Sequence, residues 1–294
     1  MPSTPEPQVL LTGLAFGESP RWHQGRLWFA NWGTQEVVAL GPDGDSEVVA
    51  RIPTTLPYSV DWLPEPDGRL LVVSGQEGLL LRQEPDGSLV THADLRGLGG
   101  VFNEIVVDGS GNAYVNGSGS GVDPMDGGKP NGEKPAGGIV VVVAPDGAAR
   151  RVADGIDFGN GMALTADGST LIVAESHGNR LTAFDVAADG SLSGRRVWAA
   201  LDGGFPDGIC LDAEGAVWYG DVPNKRCVRV REGGEVLQTV DLDRGCFACM
   251  LGGADRSTLF MMAAEWRGMD RMSTDDRTGQ VLTVRVPVPG AGRP

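Results

Sequence analysis

The chain has 294 residues, with 45 glycines and 19 prolines, and its formal net charge at pH 7 is −15. A chain this acidic argues against binding to nucleic acid, whose phosphates require a basic surface. No run of about 18 apolar residues occurs, so we expect neither a transmembrane helix nor a membrane partner. The first residues lack the basic and apolar regions of a signal peptide, which predicts a cytoplasmic protein.

The predicted elements are short strands that recur in units of four. In the first unit the strands cover 19–23, 26–30, 36–40 and 47–51, and in the fourth they cover 162–165, 170–174, 180–185 and 195–199. The units begin near Glu18, Ser59, Asn103, Asn160, Asp207 and Phe247. Most successive gaps are about 40 to 47 residues, which is the spacing of a structural repeat.

Four-stranded units at this period are typical of β-propeller blades. We predict an all-β fold, a six-bladed β-propeller with four-stranded antiparallel blades, formed by residues 1–294 as a single domain. The sixth unit lacks an outer strand, and the N-terminal segment, residues 1–15, is expected to supply it and close the last blade. Helical periodicity is not sustained beyond about one turn, which gives little support to an α/β fold.

The connections between strands differ in kind. The turns after the first and third strands of each unit are short and repeat Asp-Gly pairs, whereas the loops after the second strand vary from unit to unit. Function is expected on the face that carries the varied loops. The longest of them, the Gly-rich segment 117–138, is either a lid beside the channel mouth or a surface insertion.

Four of the six units open with an oxygen-bearing side chain: Glu18, Asn103, Asn160 and Asp207. Each lies at the start of the innermost strand, so we expect all four to face the central channel. Two carboxylates a few Å apart repel by about 4 kcal/mol at an effective dielectric constant of 20, so they need a cation or a shared proton. An all-oxygen ligand set selects hard cations such as Ca²⁺, Mg²⁺ or Mn²⁺. Each residue alone is more typical of a turn than of a metal site, but their recurrence at equivalent positions favours a shared metal site.

The segments 17–22 (GESPRW), 102–104 (FNE), 160–163 (NGMA) and 206–208 (PDG) resemble the gluconolactonase, regucalcin (senescence marker protein) and luciferin-regenerating enzyme family. The similarity extends over nearly the whole chain, with the motifs in the same order. It implies a six-bladed propeller with one divalent cation in the central channel, with Ca²⁺ as the first candidate and Mg²⁺, Mn²⁺ or Zn²⁺ as alternatives.

The resemblance also implies roles for the four residues. Glu18, Asn160 and Asp207 would be metal ligands, and Asn103 would touch the metal or the substrate. Asp207 would also be the catalytic general base. The implied reaction is the hydrolytic opening of a lactone, in which the cation polarises the carbonyl group and Asp207 accepts a proton from the attacking water.

Two other functions remain open at this point. The same metal and water would suit an aryl-ester or phosphotriester hydrolase, and a non-catalytic calcium-binding propeller would need the same ligands. The expected partner is a small lactone or ester, and the sequence does not predict the oligomeric state.

The substrate-binding residues depart from the family pattern. An Arg that sugar lactonases often carry two residues before the Asn is replaced here by Val101, and an acidic residue of the third loop has only Asp123 or Asp126 as loose equivalents. Expected substrate contacts are Asn103, Phe102, Trp32, Tyr58, His177 and Trp266. The aromatic residues favour a substrate with fewer hydroxyls than gluconolactone, although blade packing explains each of them singly. His177 is either a proton carrier or substrate contact or an ordinary loop residue.

The four cysteines, Cys210, Cys227, Cys246 and Cys249, are predicted to be buried thiols in strands. The last two have C-x-x-C spacing, but no second pair or nearby His completes a zinc site.

Overall fold

The computed structural model describes residues 6–52, 56–119, 137–268 and 277–292. Within these residues the chain forms 24 β-strands and one short 3₁₀ turn, Trp32–Thr34. The strands pair into six antiparallel sheets of four strands each, arranged as a six-bladed β-propeller. The fold class predicted from the sequence is confirmed.

The first strand of the chain, β1 (Gln8–Leu14), belongs to the last blade. Blades 1 to 3 then follow in chain order. Blade 1 contains β2 (Gly17–His23), β3 (Arg26–Asn31), β4 (Glu36–Leu40) and β5 (Ser46–Arg51). Blade 2 contains β6 (Pro57–Trp62), β7 (Leu70–Ser74), β8 (Leu79–Gln83) and β9 (Leu89–Asp94). Blade 3 contains β10 (Phe102–Val107), β11 (Ala113–Gly117), β12 (Gly138–Val143) and β13 (Ala149–Ile156).

Blades 4 to 6 complete the ring. Blade 4 contains β14 (Gly159–Leu164), β15 (Thr170–Glu175), β16 (Arg180–Val186) and β17 (Leu192–Ala200). Blade 5 contains β18 (Pro206–Leu211), β19 (Val217–Asp221), β20 (Arg226–Val230) and β21 (Val236–Asp241). Blade 6 contains β22 (Gly245–Gly252), β23 (Thr258–Ala264) and β24 (Gly279–Arg285), and β1 pairs with β24 as its outermost strand.

The inner strands β2, β6, β10, β14, β18 and β22 contact one another in a closed ring around the channel. Each of them has a register irregularity close to its first residues. A β-bulge bends a strand and re-aims the side chains beside it. The residues at these irregularities are Glu18, Tyr58, Asn103, Asn160, Asp207 and Phe247, so the second repeat is centred on Tyr58 rather than on Ser59.

The inner strands also begin earlier than the sequence predicted. Strand β2 starts at Gly17 and β14 at Gly159, two and three residues before the expected starts at 19 and 162. Because each strand continues past its bulge, Glu18 and Asn160 are held inside a sheet instead of in a free loop. The predicted bounds of β4 agree with the structure.

The core lies between the blades. Strand β12 is buried along its whole length, whereas the outer strand β17 is largely exposed. The four cysteines are free and buried, as predicted, and the sulfurs of Cys210 and Cys249 lie 4.0 Å apart. In the described part of the chain, no helix has the length and apolar character needed to cross a membrane.

Candidate metal centre

A cavity of about 410 Å³ opens at the end of the channel where the inner strands begin. The side chains of Glu18, Asn103, Asn160 and Asp207 all line it. They come from blades 1, 3, 4 and 5, so residues up to 189 positions apart in the sequence meet at one place. The volume falls within the range of roughly 300–1,000 Å³ that is usual for small-molecule pockets.

Two glycines allow neighbouring inner strands to approach closely beside these ligands. A Cβ atom at Gly161 would lie 2.5 Å from the backbone nitrogen of Ile209, and one at Gly208 would lie 2.7 Å from the Cα of Ala248. Such distances are not possible for any other residue without moving the backbone. The glycine after Asn160 and the glycine after Asp207 therefore let the two side chains converge.

Three polar side chains at the ends of second strands fix the segments that precede the candidate ligands. The Asn31 Oδ1 atom accepts a hydrogen bond from the Phe16 backbone N–H at 3.0 Å. Asp221 Oδ1 accepts one from Phe205 at 3.4 Å, and Glu175 Oε2 accepts one from Asp157 at 2.7 Å. These residues were not predicted from the sequence, although each lies at the same place in its blade.

The two candidate amide ligands contact each other. Asn103 Nδ2 donates to Asn160 Oδ1 at 3.2 Å, and the backbone oxygen of Asn103 accepts from Ser59 Oγ at 2.6 Å. Asn116 Nδ2 donates to the backbone oxygen of Asn160. The hydroxyl of Ser176 donates to the Pro206 backbone oxygen at 2.7 Å, and so links the Asn160 blade to the Asp207 blade.

The two carboxylates carry unbalanced charge. Burial raises the pKa of Glu18 well above its ordinary value, and repulsion from Asp207 and Glu104 raises it further. Burial and the charge of Glu104 likewise raise the pKa of Asp207, against a smaller lowering by hydrogen bonds from Gly208 and Asn160. Glu18 is 9% exposed, and Asp207 keeps partial exposure to the cavity. Neither forms an ion pair with any Arg or Lys that the structure describes.

The four candidate ligands, Glu18, Asn103, Asn160 and Asp207, form the polar floor of the cavity. A buried ion pair lies close to this polar floor. Arg21 Nη2 lies 2.9 Å from Glu104 Oε1, and both side chains are less than 9% exposed. Glu104 Oε1 also accepts hydrogen bonds from Ser19 Oγ at 3.0 Å and from its neighbour's backbone N–H, that of Ile105, at 2.9 Å. Since Glu104 is balanced by these donors, Glu18 and Asp207 are the acids left for a ligand.

This donor set fits a divalent cation. Two acids and two amides offer only oxygen ligands, the set that hard cations prefer. A bound cation would remove the repulsion that raises both pKa values. Among the described residues, no group of three or more His, Cys, Asp or Glu side chains is arranged to hold a metal. The candidate centre differs from such a group because half of its ligands are amides.

The remaining predicted site residues divide into two groups. Trp32, His177 and Trp266 line the cavity together with the four candidate ligands. Tyr58 and Phe102 do not line it, since they are 2% and 0% exposed and pack in the core. These two assignments as substrate contacts are corrected.

Each correction has a physical reason. Phe102 precedes Asn103 in strand β10, but its ring is fully buried in the hydrophobic core and does not reach the cavity. Tyr58 is covered by Trp32, whose indole N–H donates to the Tyr58 backbone oxygen at 3.0 Å. The two ring centroids lie 4.6 Å apart.

Most residues of the apolar cavity wall were not predicted from the sequence. Phe16, Phe158 and Phe205 line the cavity, and each lies two residues before a candidate ligand: Glu18, Asn160 and Asp207. The recurring Phe-x-ligand spacing was the available signal, although each phenylalanine lies one residue before its strand begins, at Gly17, Gly159 and Pro206. Phe247, Val222 and Pro223 complete the wall.

The predicted lid, residues 117–138, lies largely outside the described residues, as do Asp123 and Asp126. Gly117 ends strand β11 and Gly138 begins strand β12, so the segment does connect the second and third strands of blade 3.

Comparison with known proteins identifies the family. The family model for the SMP-30/gluconolactonase/LRE-like region matches residues 16–265. The chain belongs to this family. The match contains all four candidate ligands and nine of the ten other described lining residues of the cavity, all except Trp266.

Relatives and solved structures agree with this assignment. Regucalcin from Xenopus laevis is 27% identical over 262 residues, which cover 86% of this chain and 84% of that protein. A 6-deoxy-6-sulfogluconolactonase from Pseudomonas putida is 28% identical over 163 residues, 54% of this chain and 56% of that protein. The crystal structure of a calcium-binding protein, regucalcin from Agrobacterium tumefaciens, is similar with a TM-score of 0.79 and 22% identity, covering 99% of this chain and 97% of that one.

Proposed function

We propose that this chain is a divalent-metal-dependent lactonase that opens a small cyclic ester by hydrolysis. Membership of a family whose relatives include a sulfogluconolactonase supports the reaction class. The convergence of two unbalanced carboxylates and two amides in one cavity carries the proposal.

In this proposal Glu18, Asn160 and Asp207 hold the cation, with Asn103 beside them. The cation supplies Lewis-acid polarisation of the lactone carbonyl and neutralises the two carboxylates. Ca²⁺ is the first candidate, in line with the calcium-binding regucalcin of similar fold, and Mg²⁺, Mn²⁺ and Zn²⁺ are alternatives.

Asp207 acts as the general base. It is partly exposed to the cavity, and its strand is anchored through Ser176 and Asp221, so its carboxylate is held while a water molecule approaches. The water oxygen bonds to the carbonyl carbon as Asp207 accepts the water proton. The ring C–O bond then breaks, and the ring oxygen takes that proton from Asp207 and leaves as the hydroxyl of an open hydroxy acid.

A calcium-binding propeller without turnover is the second candidate. The observation that favours it is the similar fold of the Agrobacterium tumefaciens regucalcin, a calcium-binding protein. The two functions share the metal ligands and differ only in whether a lactone is consumed.

One experiment separates the candidates. Purified protein is assayed on a panel of γ- and δ-lactones, an aryl ester and a phosphotriester, with and without EDTA, and with each divalent cation restored. The proposal expects lactone turnover that EDTA abolishes and Glu18→Gln removes. Preferential turnover of the phosphotriester would contradict the reaction class, and metal binding with no turnover of any compound would favour the non-catalytic propeller.

A further inference from the structure

The cavity wall is built from a repeated aromatic position. Phe16, Phe158 and Phe205 occupy the second position before Glu18, Asn160 and Asp207, and all three line the cavity. In each case a polar side chain fixes the backbone at or next to the phenylalanine, as described above for Asn31, Glu175 and Asp221. The rings are therefore held by the same framework that holds the candidate ligands.

These rings form an apolar arc on one side of the cavity. In a six-bladed ring, blade 4 lies opposite blade 1, and blades 5 and 6 fill the side between them. Blade 4 contributes Phe158, blade 5 contributes Phe205, and blades 6 and 1 contribute a cluster in which Phe16 lies 4.6 Å from Phe247 and 5.5 Å from Trp32, measured between ring centroids. Eight of the fourteen described lining residues are apolar.

Phe158 adopts a backbone conformation that a bulky residue rarely takes. Its φ angle is +58°, in the left-handed region that favours glycine. Its carbonyl oxygen accepts a hydrogen bond from the Ser176 N–H at 3.0 Å, and its ring stacks on His177 with centroids 4.5 Å apart and planes 19° apart. With this backbone conformation the Phe158 ring lies at the cavity wall, against His177.

The rim of the arc is open to solvent. Phe205 is 40% exposed and Trp266 is 50% exposed, both at the cavity. An exposed apolar surface that continues into a pocket marks a ligand-binding site. None of the fourteen described lining residues is Lys or Arg, so the described wall offers no cationic partner for a sulfonate, phosphate or carboxylate group on a substrate.

Once Glu18, Asn103, Asn160 and Asp207 are assigned to the metal, few polar groups remain for substrate hydroxyls. Among the described lining residues these are Ser176 and His177, and the Ser176 hydroxyl already donates to the Pro206 backbone oxygen. A polyhydroxylated ring would lose its hydrogen bonds to water against the apolar arc without replacing them.

We propose that the cavity recognises a cyclic ester carrying a flat apolar substituent, with the ester at the polar floor and the substituent between the Phe158–His177 stack and the Phe16–Phe247 cluster. This inference rests on the proposed lactonase function for the reaction and extends it to the substrate class. The aromatic arc then serves as the specificity element of the site.

The test compares matched probes that differ only in the substituent. Wild-type protein is assayed with γ-phenyl-γ-butyrolactone, unsubstituted γ-butyrolactone and glucono-δ-lactone, and each kcat/KM is divided by the rate constant of the uncatalysed hydrolysis. We expect the phenyl lactone to be preferred over each of the others by at least about tenfold, since one well-filled apolar pocket supplies discrimination of roughly 10- to 200-fold. Equal values for the phenyl and unsubstituted lactones would overturn the proposal.

A pair of glycine variants tests the arc itself. Phe158→Gly removes the ring and suits the left-handed backbone, and it should reduce the phenyl preference at least about threefold, mainly through KM. Gln24→Gly relieves the same kind of backbone conformation, φ +49°, at an exposed turn outside the cavity, and should leave the preference unchanged. A phenyl preference that survives Phe158→Gly in a protein of unchanged melting temperature would contradict the role of this ring.

Binding of inert analogues separates this proposal from the lactonase assignment. The corresponding lactams, 5-phenyl-2-pyrrolidinone and 2-pyrrolidinone, are titrated calorimetrically into the cation-loaded protein. Binding of the phenyl lactam at least about tenfold more tightly, with no turnover of any lactone, would support apolar recognition while the lactonase function fails. Lactone turnover with equal or no binding of the two lactams would leave the lactonase function and overturn the apolar recognition.

Discussion

Glu18 and Glu104 are buried in the same channel, but their surroundings differ in kind. Glu104 has an Arg21 guanidinium at 2.9 Å together with a hydroxyl and a backbone N–H donor. Among the described residues, Glu18 accepts a 3.2 Å hydrogen bond from the backbone N–H of Ser19. Burial and the charges of Asp207 and Glu104 raise its pKa, and each acts more strongly than the opposing charge of Arg21. The difference separates an acid that completes the fold from one that is left for a ligand.

Other buried acids follow the Glu104 pattern. Glu175 is fully buried and pairs with Arg180 and Arg195, and Asp221 is fully buried and pairs with Arg226. Because an unpaired buried charge is strongly destabilising, arginine is the usual compensation in this fold. At the candidate centre the compensation is expected from a cation instead.

The largest effect is expected from Asp207→Asn. Removal of the general base should lower kcat on lactones by about 10²- to 10⁴-fold, measured with Ca²⁺ in excess. The matched control is Asp202→Asn, an exposed acid in the loop before β18, which should leave kcat unchanged. Full activity of Asp207→Asn would remove Asp207 from the reaction.

Glu104→Gln tests whether the ion pair between Glu104 and Arg21 stabilises the fold. Breaking a buried ion pair leaves the Arg21 charge uncompensated, so the free energy of unfolding should fall by about 3–5 kcal/mol. Urea denaturation measures this change, and Glu18→Gln in EDTA should show no such loss. If Glu104→Gln and Glu18→Gln destabilise the cation-free protein equally, the distinction between the two acids is wrong.

Gly161→Ala should weaken both the fold and the cation site. A methyl group there meets the Ile209 backbone nitrogen at 2.5 Å, and overpacking of this kind costs typically about 1–3 kcal/mol. Gly97→Ala, where the added Cβ meets nothing within 4 Å, is the control. Cation affinity that is unchanged in a destabilised Gly161→Ala protein would show that the close approach does not position Asn160 and Asp207.

The smallest effect is a pH dependence in the cation-free protein. The pKa of Glu18 is raised above the ordinary 4.5, and that of Asp207 above the ordinary 3.8. The folded state therefore binds more protons than the unfolded state above these values, and stability is lost as the pH rises through the window up to the raised pKa values.

The difference between wild type and Glu18→Gln isolates this contribution from the other titrating groups. In EDTA, Glu18→Gln should melt a few degrees higher than wild type at pH 8, and the advantage should vanish near pH 4. Excess Ca²⁺ should reverse the order at pH 8. A melting difference that is independent of both pH and Ca²⁺ would contradict the unbalanced charge at Glu18.

The fold and the polar floor followed from the sequence because they depend on repetition. Equivalent positions in a repeat meet around one axis, so the recurrence of Glu18, Asn103, Asn160 and Asp207 predicted a shared cavity without coordinates.

The apolar wall could not be predicted from the sequence, because it depends on backbone geometry. The φ angle of Phe158, the bulge beside each ligand and the covering of Tyr58 by Trp32 are set by tertiary packing rather than by local pattern. The anchoring acceptors Asn31, Glu175 and Asp221 were hidden for the same reason, since a polar residue at a strand end reads as a loop residue until its partner is known.

Calorimetric titration of Ca²⁺ into the metal-free protein tests whether Glu18 and Asp207 form a metal centre. We predict one ion bound per chain in wild type and in Asp202→Asn, and binding at least about 100-fold weaker in Glu18→Gln. Unchanged stoichiometry and affinity in Glu18→Gln and Asp207→Asn would contradict a metal centre formed by these carboxylates.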